Sequence, residues 1–114
     1  MKIIDDKQNI IAYIVRKKDI SKGKNFLTQN NEQMQFASFD LEKNEVIRNH
    51  IHNNTKREIN TTSEGIVVIE GALKVKLFDN NKNFLSDHTL NSGDSILLLS
   101  GGHGIEVLEN TKFV

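Results

Sequence analysis

Short apolar stretches alternate with polar turn residues along most of the chain, and none of them repeats with the spacing of a helix. The first strong stretch, residues 10–15, is β-branched and aromatic, which favours a strand. Leu73, Val75 and Leu77 alternate with two lysines, so a strand there buries one face and exposes the other. Short strands at close spacing are typical of a sandwich or barrel. The pattern therefore predicts an all-β fold.

The other predicted strands also lie between turn-forming residues. They are residues 33–36, 46–52, 59–69, 96–99 and 103–108. Turns are predicted at residues 22–25, 79–83 and 91–94, where Gly, Asn, Asp and Ser cluster. A chain of 114 residues is long enough for one domain. We predict that residues 1–31 form an N-terminal β arm of the same domain and that residues 32–114 form its main body.

Composition narrows the classes of function. Fifteen basic and fifteen acidic residues give a net charge of zero, which argues against a nucleic-acid partner. The absence of cysteine excludes disulfides, thiolate metal sites and cysteine nucleophiles. The N-terminus turns acidic where a signal peptide becomes apolar, and no apolar run approaches the roughly 18–20 residues that span a bilayer. We therefore expect a cytoplasmic protein with no membrane partner.

The candidate chemistry begins with Arg48, His50 and His52, at every second position of a predicted strand. Such residues share a face, and the two histidine Cα atoms would lie about 6–7 Å apart, so both imidazoles could reach one cation. Burying these side chains without partners is costly, which favours a strand that lines a polar cavity. The alternative is a pair of surface histidines on an edge strand.

A third histidine, His103, has glycines on both sides in the sequence Ser-Gly-Gly-His-Gly. Glycines allow a strand to begin with a close backbone approach. In that strand Ile105 and Val107 would share the face of His103, so His103 heads an inward-facing row. The fourth histidine, His88, follows an aspartate beside a turn and is predicted to lie at the surface.

Two groups of residues together resemble the motifs of the cupin family, over roughly residues 40–108. The first motif is a histidine pair, then a glutamate, then a glycine after six further residues, here His50, His52, Glu64 and Gly71. The second is a Gly-Asp pair, a short strand, and a glycine with a histidine, here Gly93, Asp94, residues 96–99, Gly101 and His103. Three features depart from the family pattern. A longer segment, residues 53–63, precedes Glu64; Leu99 replaces a proline; and His103 follows Gly101 one residue early.

The resemblance implies a cupin-type double-stranded β-helix, a jelly-roll barrel, with the N-terminal arm attached. It also implies that His50, His52, Glu64 and His103 hold a divalent ion inside the barrel. Because of the long preceding segment, Glu58 is an alternative to Glu64. Three imidazoles and one carboxylate suit Fe, Mn, Ni, Co or Zn rather than Ca or Mg.

Three functions remain open for such a protein. The first is a metal-dependent enzyme acting on a small polar metabolite, in which Arg48 and Arg57 could bind an anionic group of the substrate. The second, also implied by the resemblance, is a metal-free isomerase of nucleotide-linked keto sugars that uses histidines as acid and base. The third is a non-catalytic module that binds a small ligand. A homodimer is also expected, since cupins pair through N-terminal strands and residues 10–15 are apolar for a free arm.

Overall fold

The computed structural model describes all 114 residues and confirms an all-β protein. Its strands are β1 (Lys2–Ile4), β2 (Ile10–Val15), β3 (Gly23–Phe26), β4 (Ala37–Asp40), β5 (Glu64–Glu70), β6 (Ala72–Phe78), β7 (Phe84–Asn91), β8 (Ser95–Leu98), β9 (Gly102–Val107) and β10 (Lys112–Phe113). The helical content is one 3₁₀ turn, Lys17–Asp19. No helix is long and apolar enough to cross a membrane.

The strands form three antiparallel sheets. The largest has the order β1-β2-β8-β5-β10, the second is β7-β6-β9, and β3 and β4 form a separate hairpin. None of the sheets closes on itself. The fold therefore consists of three open sheets.

The core lies between the five-stranded and three-stranded sheets. From the first sheet Ile14, Ile66 and Ile96 point inward side by side, because residues opposite each other in an antiparallel ladder share a face. Leu73 and Val75, from the middle strand of the second sheet, are fully buried against them. A smaller cluster of Tyr13, Leu97 and Leu99 covers the opposite face of the larger sheet.

The apolar part of the predicted N-terminal arm is an interior strand of the larger sheet. Strand β2 lies between β1 and β8, and residues 11–14 are buried by the chain's own fold. The apolar character of residues 10–15 is thus explained within one chain. It no longer argues for a partner subunit.

Several strand boundaries differ from those predicted. Residues 41–63 contain neither strand nor helix, so the prediction of a strand over residues 46–52 was wrong. Val46 and Ile51 are 74% and 90% exposed, because no sheet edge pairs with this Asn-rich segment. For the same reason β5 begins at Glu64 rather than Ile59. Strand β4 follows residues 33–36 instead of including them, and the turn predicted at residues 22–25 is largely strand β3.

Candidate functional site

Glu64 and His103 come from the two sheets that enclose the core. Glu64 begins β5 opposite Leu98, on the face that buries Ile66. His103 lies near the start of β9 opposite Leu77, on the buried face of the three-stranded sheet. The ladders on both sides therefore direct the two side chains toward each other at one edge of the core.

The Oε2 atom of Glu64 and the Nε2 atom of His103 are 3.1 Å apart. Their side chains are 50% and 30% exposed, so the pair borders solvent. Two ligand atoms on one zinc-like ion, each at its usual bond length, lie roughly 2.9–3.4 Å from each other. The same separation allows a carboxylate to hold an imidazole in one orientation. The pair is thus arranged for either metal binding or acid–base chemistry.

Glycine is needed at the start of β9. Gly101 has φ +70°, and a Cβ there would lie 2.2 Å from the carbonyl oxygen of Phe78. Gly104, on the other side of His103, has no atom within 4 Å of such a Cβ. The close approach at Gly101 therefore sets the entry of β9 and the position of His103.

His50 and His52 lie in the irregular segment, residues 41–63, and both are exposed. Their ring centroids are 5.2 Å apart, with an angle of 67° between the ring planes. The Nδ1–H of His50 donates to the carbonyl oxygen of Arg48 at 2.8 Å, which leaves Nε2 free. Histidine ligands often donate their second nitrogen in this way. The two imidazoles therefore form a second potential ligand pair.

The irregular segment is attached mainly near its C-terminal end. Thr61 donates to the carbonyl oxygen of Leu99 at 2.7 Å, and Gln33 bonds both Thr61 and Ser63. Arg57 donates to a backbone carbonyl outside the segment, that of Glu32. Residues 46–56 make only local hydrogen bonds. The two histidines are therefore weakly held.

The four predicted ligands thus form two pairs rather than one shell. No group of three or more His, Asp or Glu residues is close enough to hold a metal ion. Glu58 is exposed in the irregular segment and pairs with neither histidine group. The donor types suit a transition metal. The structure brings the four donors together only as two separate pairs.

Arg57 and His52 line a cavity of about 260 Å³ together with Gln29, Gln35 and Asn53. Arg48 is exposed and lies outside its lining. Gln29 comes from a polar stretch, and Gln35 from the strand predicted over residues 33–36, which the structure leaves irregular. Nothing in the sequence therefore indicated that they approach His52.

Tyr13 links the larger sheet to the polar segment between β3 and β4, residues 27–36. Its buried hydroxyl donates to Oε1 of Glu32 at 2.9 Å. Burial, together with the hydrogen bond and the charge of Glu32, raises the pKa of Tyr13 to about 12. Tyr13 is therefore a neutral structural donor at physiological pH, and it helps to fix the residue whose carbonyl accepts from Arg57.

His88 is half-buried rather than at the surface. It lies opposite Val75, on the inner face of the three-stranded sheet, and its Nε2 atom is 2.9 Å from the Ser86 hydroxyl. The alternation of side chains along β7 places His88 on the inner face. The nearby turn residues had instead indicated a surface position.

Comparisons with known proteins identify no relative. No protein-family model matches the chain, and no curated protein or solved structure is significantly similar to it.

Proposed function

We propose that this protein is a cupin-type barrel that binds a divalent transition metal and acts on a small polar metabolite in the cytoplasm. Glu64 and His103 are the central ligands in this proposal, and His50 and His52 complete the site. The ion is Fe, Mn, Ni, Co or Zn. The observation that carries the proposal is the 3.1 Å separation of two side chains that the motifs nominate from distant positions in the sequence.

Two further features support the proposal. A mixed nitrogen and oxygen donor set suits these ions. Residues 46–56, which carry His50 and His52, make only local hydrogen bonds, so they can move toward the Glu64–His103 pair without breaking strand pairing. In the proposal, ligand binding orders this segment and closes the site.

The substrate in this proposal carries an anionic group. Arg57 lines the cavity beside His52, and its guanidinium suits a carboxylate or phosphate. Arg48 lies two residues before His50 and moves with it. An ion bound in the proposed site could polarise a substrate carbonyl or activate a water molecule.

Metal binding is tested by calorimetric titration with Zn²⁺ and Mn²⁺ and by elemental analysis of protein purified without a metal-affinity tag. We expect near-stoichiometric metal in the wild type. Glu64→Gln and His103→Ala should each weaken binding by roughly tenfold or more, and His50→Ala/His52→Ala should do the same.

The matched control is His88→Gln, which removes the one histidine outside the proposed site. It should bind metal like the wild type. A wild-type protein that takes up none of the five ions, or equal losses in the control and in His103→Ala, would contradict the proposal.

A metal-free isomerase is the second candidate, because the Glu64–His103 geometry also suits a base oriented by a carboxylate. In that case one histidine removes a proton from the hydroxyl-bearing carbon beside a keto group, and an acid delivers a proton to the former keto carbon. The hydroxyl proton passes to the other oxygen, so that the keto and hydroxyl groups exchange places. Incubation with a nucleotide-linked keto sugar in D₂O and chelator tests this. Deuterium incorporation that is lost in His103→Ala supports it, whereas exchange that requires added metal supports the first proposal. Ligand binding without exchange would indicate a non-catalytic binding module.

The homodimer remains a proposal from the family resemblance. Static light scattering at micromolar concentration checks it. A mass of one chain at every concentration would contradict it.

A further inference from the structure

A second cavity, of about 510 Å³, lies at the other end of β8 from Glu64. It is lined entirely by polar and charged residues, which are Arg16, Lys17, Lys18, Asn91, Ser92 and Asp94. Asp94 and Leu98, the partner of Glu64, are four positions apart and hence about 13 Å apart along the strand. The cavity is therefore separate from the proposed metal site.

Asp94 holds this region together. Its carboxylate accepts hydrogen bonds from the backbone N–H groups of Lys17 at 2.9 Å and Asn91 at 3.0 Å, and from Arg16 at 3.3 Å. Asp94 is buried, and the bonds to it join the 3₁₀ turn to the β7–β8 turn. The only carboxylate in the lining is thus already used by protein donors.

The three basic side chains of the lining, in contrast, have donor groups without protein acceptors. Arg16 donates through Nη1 to Asp94 and to the carbonyl oxygen of Thr89 at 2.6 Å, and its Nε and Nη2 groups have no protein acceptor. The ammonium groups of Lys17 and Lys18 form no ion pair. Lys17 also lies against the turn, since a Cβ on Gly93 would be 2.7 Å from its Cδ atom. Free donors and uncompensated positive charge therefore meet in one concave site.

We infer that this cavity binds the phosphate group of a small phosphorylated metabolite. A phosphate carries close to two negative charges at neutral pH and accepts several charge-assisted hydrogen bonds. The cavity volume suits a small molecule. The net charge of zero supplies none of the long-range attraction on which nucleic-acid binding depends. The inference is independent of the proposed metal chemistry.

The test is an NMR titration of backbone amides with inorganic phosphate and with pyrophosphate, at constant ionic strength. Saturable shifts should centre on residues 16–18 and 91–94. Lys17→Gln/Lys18→Gln should weaken pyrophosphate binding by about tenfold, the loss expected for a strong charge-assisted contact. The spectrum of this variant also shows whether it remains folded.

The control is Lys24→Gln/Lys43→Gln, which removes the same charge from two exposed, unpaired lysines elsewhere. It should bind pyrophosphate like the wild type. An equal loss in the control, shifts spread evenly over the surface, or no saturation would overturn the inference. Binding to vesicles of anionic lipid that saturating pyrophosphate does not displace would also overturn it, and would assign the cations to a membrane surface.

Discussion

The two halves of the proposed metal site are held in different ways. Glu64 and His103 stand on strands whose neighbours are fixed by continuous ladders, and their side chains meet at 3.1 Å. His50 and His52 stand on a segment without strand or helix, and the one side-chain hydrogen bond they make reaches back two residues. The first half is built by the fold. The second depends on the local conformation of an exposed chain.

This difference suggests a division of labour within the site. Strand ladders impose orientation at no further cost, so Glu64 and His103 are preorganised for binding. Ordering the exposed segment costs conformational entropy that a ligand must offset. We therefore expect metal binding to be coupled to ordering of residues 46–56.

The largest expected contrast is in hydrogen exchange. The amides of Ile66 and Ile96, which lie opposite each other at the centre of the larger sheet, should exchange only through extensive unfolding. Those of residues 46–56 should exchange through local opening, at least about a thousandfold faster. Exchange read by NMR or mass spectrometry checks this, and Zn²⁺ should slow the segment if its histidines become ligands. Protection of the segment in the absence of metal would contradict the contrast.

The next largest effect tests how firmly His103 is held. Gly101→Ala places a side chain at a residue with φ +70°, and its Cβ would lie 2.2 Å from the carbonyl oxygen of Phe78. The substitution should therefore strain the backbone at the start of β9. We expect the free energy of unfolding to fall by about 3 kcal/mol. Urea denaturation measures it.

Gly104→Ala is the matched control, since it adds the same methyl group on the other side of His103 where no atom lies within 4 Å. Its stability should stay within about 0.5 kcal/mol of the wild type. Equal stability of the two variants would mean that β9 can shift to accommodate a side chain at Gly101, and that His103 is less firmly fixed than its ladder indicates.

The same contrast explains how much the sequence could predict. Residues 72–78 alternate cleanly, because β6 buries one face against the core, and there the prediction agreed with the structure. The strand predicted after Gly101 is present as β9, but the expected inward-facing row was wrong: Ile105 and Val107 are 40% and 57% exposed, because β9 is an edge strand. Residues 46–52 also alternate, yet alternation indicates a strand only if a sheet edge is present to pair with it, and sequence periodicity carries no information about that. The family motifs nominated Glu64 and His103 for one site, and the two side chains lie 3.1 Å apart, whereas no motif or spacing indicated that Gln29 and Gln35 approach His52.

A smaller effect concerns Tyr13, which links the larger sheet to the polar segment. It is the only tyrosine and there is no tryptophan, so tyrosinate absorbance reports on this residue alone. Its pKa of about 12 lies above the usual value of about 10, so its contribution to stability is complete below pH 10 and is lost as the pH rises to 12. Glu32→Gln should lower the pKa part of the way, because burial, the larger cause, remains. The exposed control Glu109→Gln should leave it unchanged, and an equal change in both variants would show that Glu32 has no specific role.

The smallest expected effect concerns His88, a histidine held by a strand outside the site. Burial and then the charge of Arg16 lower its pKa, and Asp87 opposes them in part. The unfolded chain therefore takes up this proton at higher pH than the folded protein, so the free energy of unfolding should fall as the pH drops through about 6.5. His88→Gln should flatten that dependence in urea denaturation at a series of pH values, and the exposed control His50→Gln should leave the His88 contribution in place. If both variants flatten the pH dependence equally, a histidine on the inner face of a strand affects stability no more than one in the exposed segment. That result would contradict the contrast between residues held by strands and residues held by the irregular segment.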